Sequence, residues 1–235
     1  MSNDSLTLIV IIFGAINLTV ILSALFFYIH SKAKSRILQN KVNHYGDSAE
    51  EKVINYLKKG FPKATIMKDV YLKTPNGLTE IDCIFICNRG IFIIEVKSHN
   101  GYIVTDTKLW TQHWKNKVIR FHNPIKQNSV HKNALEAVLR KRQSLASLPI
   151  YSVTVFTSNT VDFSKKVKDV IKLGYLSTFI KKKNPDRRMT RETIKRVENF
   201  ISSNMETRRH RQLRHKKQIY ENNMKKRAYR INKQG

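Results

Sequence analysis

Two short acidic segments stand close enough in the chain to act together. Thr79-Glu80-Ile81-Asp82 leads into one apolar, strand-like run, and Ile94-Glu95-Val96-Lys97 ends the next. The intervening Cys87-Asn88-Arg89-Gly90 reads as a tight turn. A hairpin centred on Asn88-Arg89 pairs residues whose numbers sum to 177, and Asp82 with Glu95 meets that sum. Directly opposed residues of an antiparallel pair hold their Cβ atoms about 5 Å apart. Lys97, two residues beyond Glu95, emerges on the same face. Two opposed carboxylates in an apolar hairpin repel. A hard divalent cation such as Mg²⁺ relieves that repulsion while keeping waters and substrate phosphate in its shell. Such an ion activates water, and a lysine beside it orients the water or neutralises charge developing on the phosphate.

The D-x12-E-x-K spacing alone equally describes a solvent-facing acidic pair with Lys97 as counter-ion. Two neighbours turn the reading inward. Glu95 ends the apolar run Ile91-Phe92-Ile93-Ile94, the mark of a strand buried on both faces. Glu50 stands three and four residues before Val53 and Ile54, on the core face of a helix, where a carboxylate needs a partner. Glu51 needs none, because Ser48 with Glu51 forms a capping box.

Between about Gly46 and Asn204 the elements that must position these groups alternate as in an α/β domain. A helix over residues 48–59 is followed by strand-like runs at Thr65–Leu72, Thr79–Ile86 and Gly90–Val96, then a shorter pair near Tyr102–Val104 and Leu109–Trp114. Asn123-Pro124 places a capping residue and a first-turn proline at the start of a helix reaching about Arg142. Ile150–Phe156 is a further buried strand, and Thr190 opens a last helix to about Asn204. On the second helix Gln127 shares a face with Val130, Ala134 and Val138 and points inward, where it is either a supporting polar group or a first-turn cap. Trp110, Gln112 and Trp114 share a strand face, suited to covering a small sheet or to stacking on bases. His122 and His131 make no zinc spacing with Cys83 or Cys87. The two cysteines, four residues apart in one strand, are about 13 Å distant and cannot be bridged, as in a reducing compartment.

Gly46-Asp-Ser-Ala-Glu50, Thr79-Glu-Ile-Asp82, Gly90-Ile-Phe-Ile-Ile-Glu95-Val-Lys97, Gly101, Trp110 and Asn123-Pro-x-x-Gln127 with Asn128 together resemble the nuclease-related domain (NERD) over about residues 44–155. That family is similar to PD-(D/E)xK nucleases. The resemblance implies an αβββαβ core and a Mg²⁺- or Mn²⁺-dependent site. In it Asp82 and Glu95 would be metal ligands, Lys97 the catalytic lysine, and Glu50 and Gln127 supporting polar residues. Ala49 departs from the glycine usual in the opening motif, at a helix start away from the acidic pair.

The chain's ends add a location. Leu6 to Ile29 is a run of 24 residues without a charge, and about 20 suffice to cross a bilayer. Only Asp4 is charged upstream, so the basic leader of a signal peptide is missing. Lys32, Lys34, Arg36 and Lys41 follow the run, which predicts a short outer N-terminus and a cytoplasmic residue 30–235 portion at the cell membrane. The formal net charge is +27, and residues 181–235 hold 19 Lys and Arg against 5 Asp and Glu. Such charge disfavours a domain acting on neutral metabolites and favours nucleic acid or anionic lipid. The expected organisation is an α/β fold with a PD-(D/E)xK-like mixed sheet flanked by helices, between one transmembrane helix and a basic helical or disordered tail. Its parts are an anchor (1–30), a basic juxtamembrane linker (31–43), a nuclease-like domain (44–160), its C-terminal extension (161–204) and a basic tail (205–235) able to touch anionic lipid. Two functions fit: a membrane-anchored Mg²⁺-dependent nuclease acting on DNA, or a catalytically idle module that binds nucleic acid or scaffolds at the membrane.

Overall fold

The apolar run ending in Glu95 forms the centre of the main sheet. The computed structural model describes residues 21–22, 24–30, 48–106, 108–186 and 188–206. In it β3 (Gly90–Lys97) is buried at every position but the last. It lies third in a five-stranded mixed sheet of order β1 (Thr65–Thr74), β2 (Gly77–Cys87), β3, β7 (Ile150–Phe156), β9 (Val170–Lys172). β1–β2 and β2–β3 are antiparallel, whereas β3–β7 and β7–β9 are parallel. One face is covered by α1 (residues 48–60) and α4 (Leu176–Lys182), through Ala49, Val53, Leu57, Leu176 and Ile180. The other is covered by α2 (Pro124–Arg140), the short α3 (Gln143–Ala146) and α5 (Arg191–Asn204). Helices on both faces explain why β3 is apolar without alternation.

After β3 the chain forms β4 (Gly101–Val104), β5 (Leu109–Trp114) and β6 (Lys117–His122) before returning as α2 and β7, and β8 (Val161–Phe163), which follows β7, completes a second, four-stranded sheet of order β6-β5-β4-β8. The order α1-β1-β2-β3-α2-β7 is the expected αβββαβ core with this sheet inserted. β6 has no counterpart among the strands expected from sequence. Most of its residues are exposed, so this edge strand lacks the alternation that marks a half-buried one. The helix starts follow their caps. Asn123 Oδ1 accepts from Ile125 N at 2.9 Å, with Pro124 in the first turn, and Thr190 Oγ1 accepts from Thr193 N at 3.1 Å. α2 stops at Arg140, short of the expected Arg142.

The expected span Leu6–Ile29 lies largely outside the described residues, as do most of the linker and of the basic tail. Residues 21–22 and 24–30 are helical, with Ile21, Leu22, Leu25, Phe26, Phe27 and Ile29 exposed. Among the described residues, no helix is long and apolar enough to cross a membrane.

Gly101 sets the junction between the two sheets. Its φ is +73°, and a Cβ there would sit 2.4 Å from the His113 carbonyl oxygen and 2.7 Å from the Trp114 ring. Backbone strain and steric overlap thus coincide at one residue. Gly101→Ala is expected to lower unfolding free energy by about 2–3 kcal/mol, measured by urea denaturation; a change under about 0.5 kcal/mol would contradict this account.

Candidate active site

The β2–β3 ladder follows the expected sum from Cys87↔Gly90 to Cys83↔Ile94 and stops one pair short of Asp82 and Glu95. The strands change character there. Ile84 and Ile86 face the α2 core, as does Ile81, so the inward parity of β2 switches across Asp82 and Cys83. Opposite, β1 switches in step: Asp69 adopts φ +52°, and Lys68↔Cys83 and Val70↔Ile81 pair on either side of it. Where the ladder ends, the Val96 N–H donates to Asp82 Oδ2 at 2.8 Å. The carboxylate takes the place of a strand carbonyl.

Glu95 is only 1% exposed, and both its oxygens are engaged. Oε1 lies 2.6 Å from Lys97 Nζ, and Oε2 lies 3.1 Å from His131 Nε2. His131 Nδ1 in turn lies 2.7 Å from Thr79 Oγ1. A carboxylate only accepts, so the Nε2 proton points at Glu95; a neutral ring then takes the Thr79 hydroxyl proton at Nδ1. Lys97 Nζ also donates to Gln127 Oε1 at 3.3 Å. The opposed carboxylates, the lysine and the glutamine of the second helix are therefore gathered at one end of β3.

Asp82 bears the electrostatic consequence. Burial, and then the charge of Glu95, push its carboxyl up to about 7, against the opposing pull of the Val96 N–H, Lys97 and His131. A neighbouring His99 imidazole stacks on Phe121 with ring centroids 3.9 Å apart. Burial and Lys97 push it down to about 4, which keeps it neutral. Burial raises the Cys83 thiol, which faces the α1 core and offers no thiolate ligand. The donor set is thus two adjacent carboxylates, one of them poised where it favours a proton or another cation. That fits a hard ion that takes one or two carboxylates and completes its shell with water and phosphate oxygens. It does not fit zinc.

Glu50 is placed differently from expectation. It sits on α1, and its charge acts on Cys83 and Lys68. Among the described residues no group of three His, Cys, Asp or Glu is arranged to hold a metal, so Glu50 does not complete one with Asp82 and Glu95. Glu51 pairs with Lys68 at 3.3 Å. On α2, Val130 is exposed whereas Ala134 and Val138 are buried, which narrows the inward face assigned to Gln127. His131 and Thr79 escaped sequence reasoning as site residues. The available signal was helical period, since His131 follows Gln127 by four residues. Trp110 is structural: its ring stacks on Phe156 at 6.4 Å and its Nε1 donates to Asp106 O at 2.9 Å.

A raised carboxyl means the folded protein binds this proton more tightly than the unfolded chain. The resulting stability is complete below about pH 4 and is lost as pH rises from about 4 to 7, at about 1.4 kcal/mol for each pH unit crossed. Asp82→Asn is expected to be more stable than wild type by about 2–4 kcal/mol at pH 8 in EDTA, with no difference near pH 4. Thermal unfolding across that range checks this; parallel pH curves for the two proteins would refute it.

Residues 45–157, spanning α1 to β7, match the family described as nuclease-related domain. An uncharacterized protein of Bacillus anthracis is 33% identical over 115 residues, which are 47% of this chain and 52% of that relative. The chain thus spans about half the length of the curated relative it matches. No solved structure matches it. On its acidic motifs, its αβββαβ core and this match, residues 45–157 belong to the nuclease-related domain family of the PD-(D/E)xK-like nuclease superfamily.

Proposed function

We propose that this protein is a membrane-anchored, cytoplasmic nuclease that hydrolyses DNA phosphodiester bonds with Mg²⁺ or Mn²⁺. One observation carries the reading: Asp82 and Glu95 are adjacent carboxylates at the end of β3, with the Lys97 ammonium 2.6 Å from Glu95. Asp82 and Glu95 would hold the divalent ion. When bound, that ion supplies Lewis-acid polarisation of the phosphate and lowers the pKa of water. The side chains do the rest. Val96 N–H fixes the Asp82 carboxylate, and His131 fixes the plane of Glu95. Lys97, shared between Glu95 and Gln127, is free to turn its ammonium toward the phosphate and stabilise charge as it develops. The excess of basic side chains supports a polyanionic substrate.

A second reading draws on the same contacts. Lys97 and His131 between them engage both Glu95 oxygens, as suits a nuclease-like module that binds nucleic acid or scaffolds but does not cleave. The full chain in detergent, assayed on plasmid and linear DNA with Mg²⁺ or Mn²⁺, separates the two. Asp82→Ala and Lys97→Ala are each expected to lower cleavage by about 10²–10³-fold. Equal rates in wild type and both variants would sink the nuclease assignment, and calorimetry showing no divalent-ion binding would favour the idle module.

The anchor is supported by the uncharged run Leu6–Ile29 and the basic residues that follow it. Basic side chains of the tail at an anionic leaflet would add about 1 kcal/mol each. The full chain is expected in the membrane fraction after carbonate washing, and a form lacking residues 1–30 in the supernatant. Identical fractionation of the two would remove the anchor.

A further inference from the structure

On the β7 side of α2 lies a small concavity that the contacts around Glu95 do not use. Its volume is about 180 Å³, and α2, β7 and the segment before β9 contribute Asn128, Lys132, Ser152, Thr154, Lys168 and Asp169 to its lining. Pockets for larger organic ligands run from about 300 to 1,000 Å³, so this one suits a single small group rather than a nucleoside.

Its floor is polar and incompletely satisfied. Asn128 is 2% exposed, yet its Oδ1 has no hydrogen-bond partner among the described residues, and the buried Oγ of Ser152 has none either. Buried polar side chains are nearly always paired, so two orphans in one concavity mark a place built for something else. With its oxygen unpartnered, the Asn128 amide can turn to present its NH₂ in the same place. Ser152 and Thr154 add two hydroxyl donors to the same floor.

Charge selects the occupant. Lys132 and Lys168 line the pocket with Asp169, and Lys132 also pairs with Glu136 at 3.6 Å, so Lys168 is the lining ammonium with no ion pair among the described residues. The first turn of the 17-residue α2 holds no acidic residue, so the positive end of its dipole is unopposed there. Hydroxyl and amide donors under lysines match the oxygens of a phosphate. Thr154 is the register partner of Glu95 across the parallel β3–β7 pair, which sets the pocket floor one strand spacing, about 4.8 Å, from the strand bearing Glu95.

We infer that this pocket is a phosphate subsite, receiving a phosphate of a nucleic acid strand beside the one at Asp82 and Glu95. Its placement along the strand rests on the proposed nuclease reading, whereas phosphate recognition itself does not. The group is either a terminal phosphate or an internal phosphodiester.

Binding by the full chain in EDTA tests this without requiring cleavage. Inorganic phosphate is expected to raise the melting temperature of wild type above that in chloride of equal ionic strength. The double variant Ser152→Ala/Lys168→Gln should bind inorganic phosphate and single-stranded oligonucleotides about tenfold more weakly. Its melting temperature without phosphate should not fall, because the deleted hydroxyl had no partner. Lys58→Gln, on α1, should bind as wild type. A preference of wild type for 5′-phosphorylated over 5′-hydroxyl oligonucleotide, lost in the double variant, assigns the terminal phosphate; equal weakening of both assigns the internal one. Phosphate without effect on wild type, or a double variant that binds like wild type, overturns the subsite. A protein that binds phosphate through Ser152 and Lys168 but cleaves nothing refutes the nuclease and leaves the subsite standing. The reverse outcome does the opposite.

Discussion

A carboxylate taken out of water costs several kcal/mol unless charge and hydrogen bonds replace its hydration. Glu95, at 1% exposure, stands under that constraint with a second carboxylate beside it. Lys97 meets one oxygen and His131 the other, while Asp82 leans on the Val96 N–H left unpaired where the β2–β3 ladder ends. The compensation is unequal. Glu95 is satisfied on both sides, and Asp82 is left with a carboxyl pushed up to about 7, the position from which a cation gains most. The same arrangement places Lys97 beside the acidic pair without committing it wholly to either Glu95 or Gln127.

This arrangement requires the first two turns of α2 to stand directly over the end of β3, and the inserted sheet makes that possible. The Asp106 carbonyl accepts from Trp110 Nε1 at 2.9 Å and from Asn123 Nδ2 at 3.0 Å, tying the N-cap of α2 to the start of β5. Trp110 is anchored in its turn against Phe156 on β7 and Phe121 on β6. A tryptophan at 1% exposure, with its N–H spent on the backbone, is unavailable to stack on bases. Its contribution is made at a distance, by holding the helix that carries Gln127 and His131.

What sequence reading recovered and what it missed divide along physical lines. The approach of Asp82 to Glu95 followed from a two-residue turn, because hairpin register is local and propagates from it as far as Cys83↔Ile94, one pair short of the two carboxylates. Lys97 followed from strand parity and the start of α2 from its Asn-Pro cap. His131 was missed because its role is tertiary: a histidine four residues beyond Gln127 gains meaning only once α2 is known to cross β3. Glu50 was legible only in part. Helical period correctly put Val53 and Leu57 on an inner face, but period does not say which side of the sheet a helix will cover, and α1 covers the side opposite α2. The simultaneous parity switch in β1 and β2 is likewise invisible, since no glycine marks the left-handed turn of Asp69.

The start of α2 shows how one short segment can serve several demands. Gln127, Asn128 and His131 lie within five residues and address three different neighbours: the lysine, the small basic pocket and the buried glutamate. Adjacent helix positions differ by about 100° in direction, so Gln127 and Asn128 necessarily look to opposite sides of the β3–β7 seam, while His131 drops between them. An α-helix set across the end of a parallel strand pair therefore offers one polar group to each strand and one to the groove. Sliding α2 by a single residue would put Val130 or Lys132 where His131 now meets Glu95. The proline at its first turn and the Asn123 cap prevent that slide, which makes the helix start, as much as the acidic pair, a determinant of what this site can do.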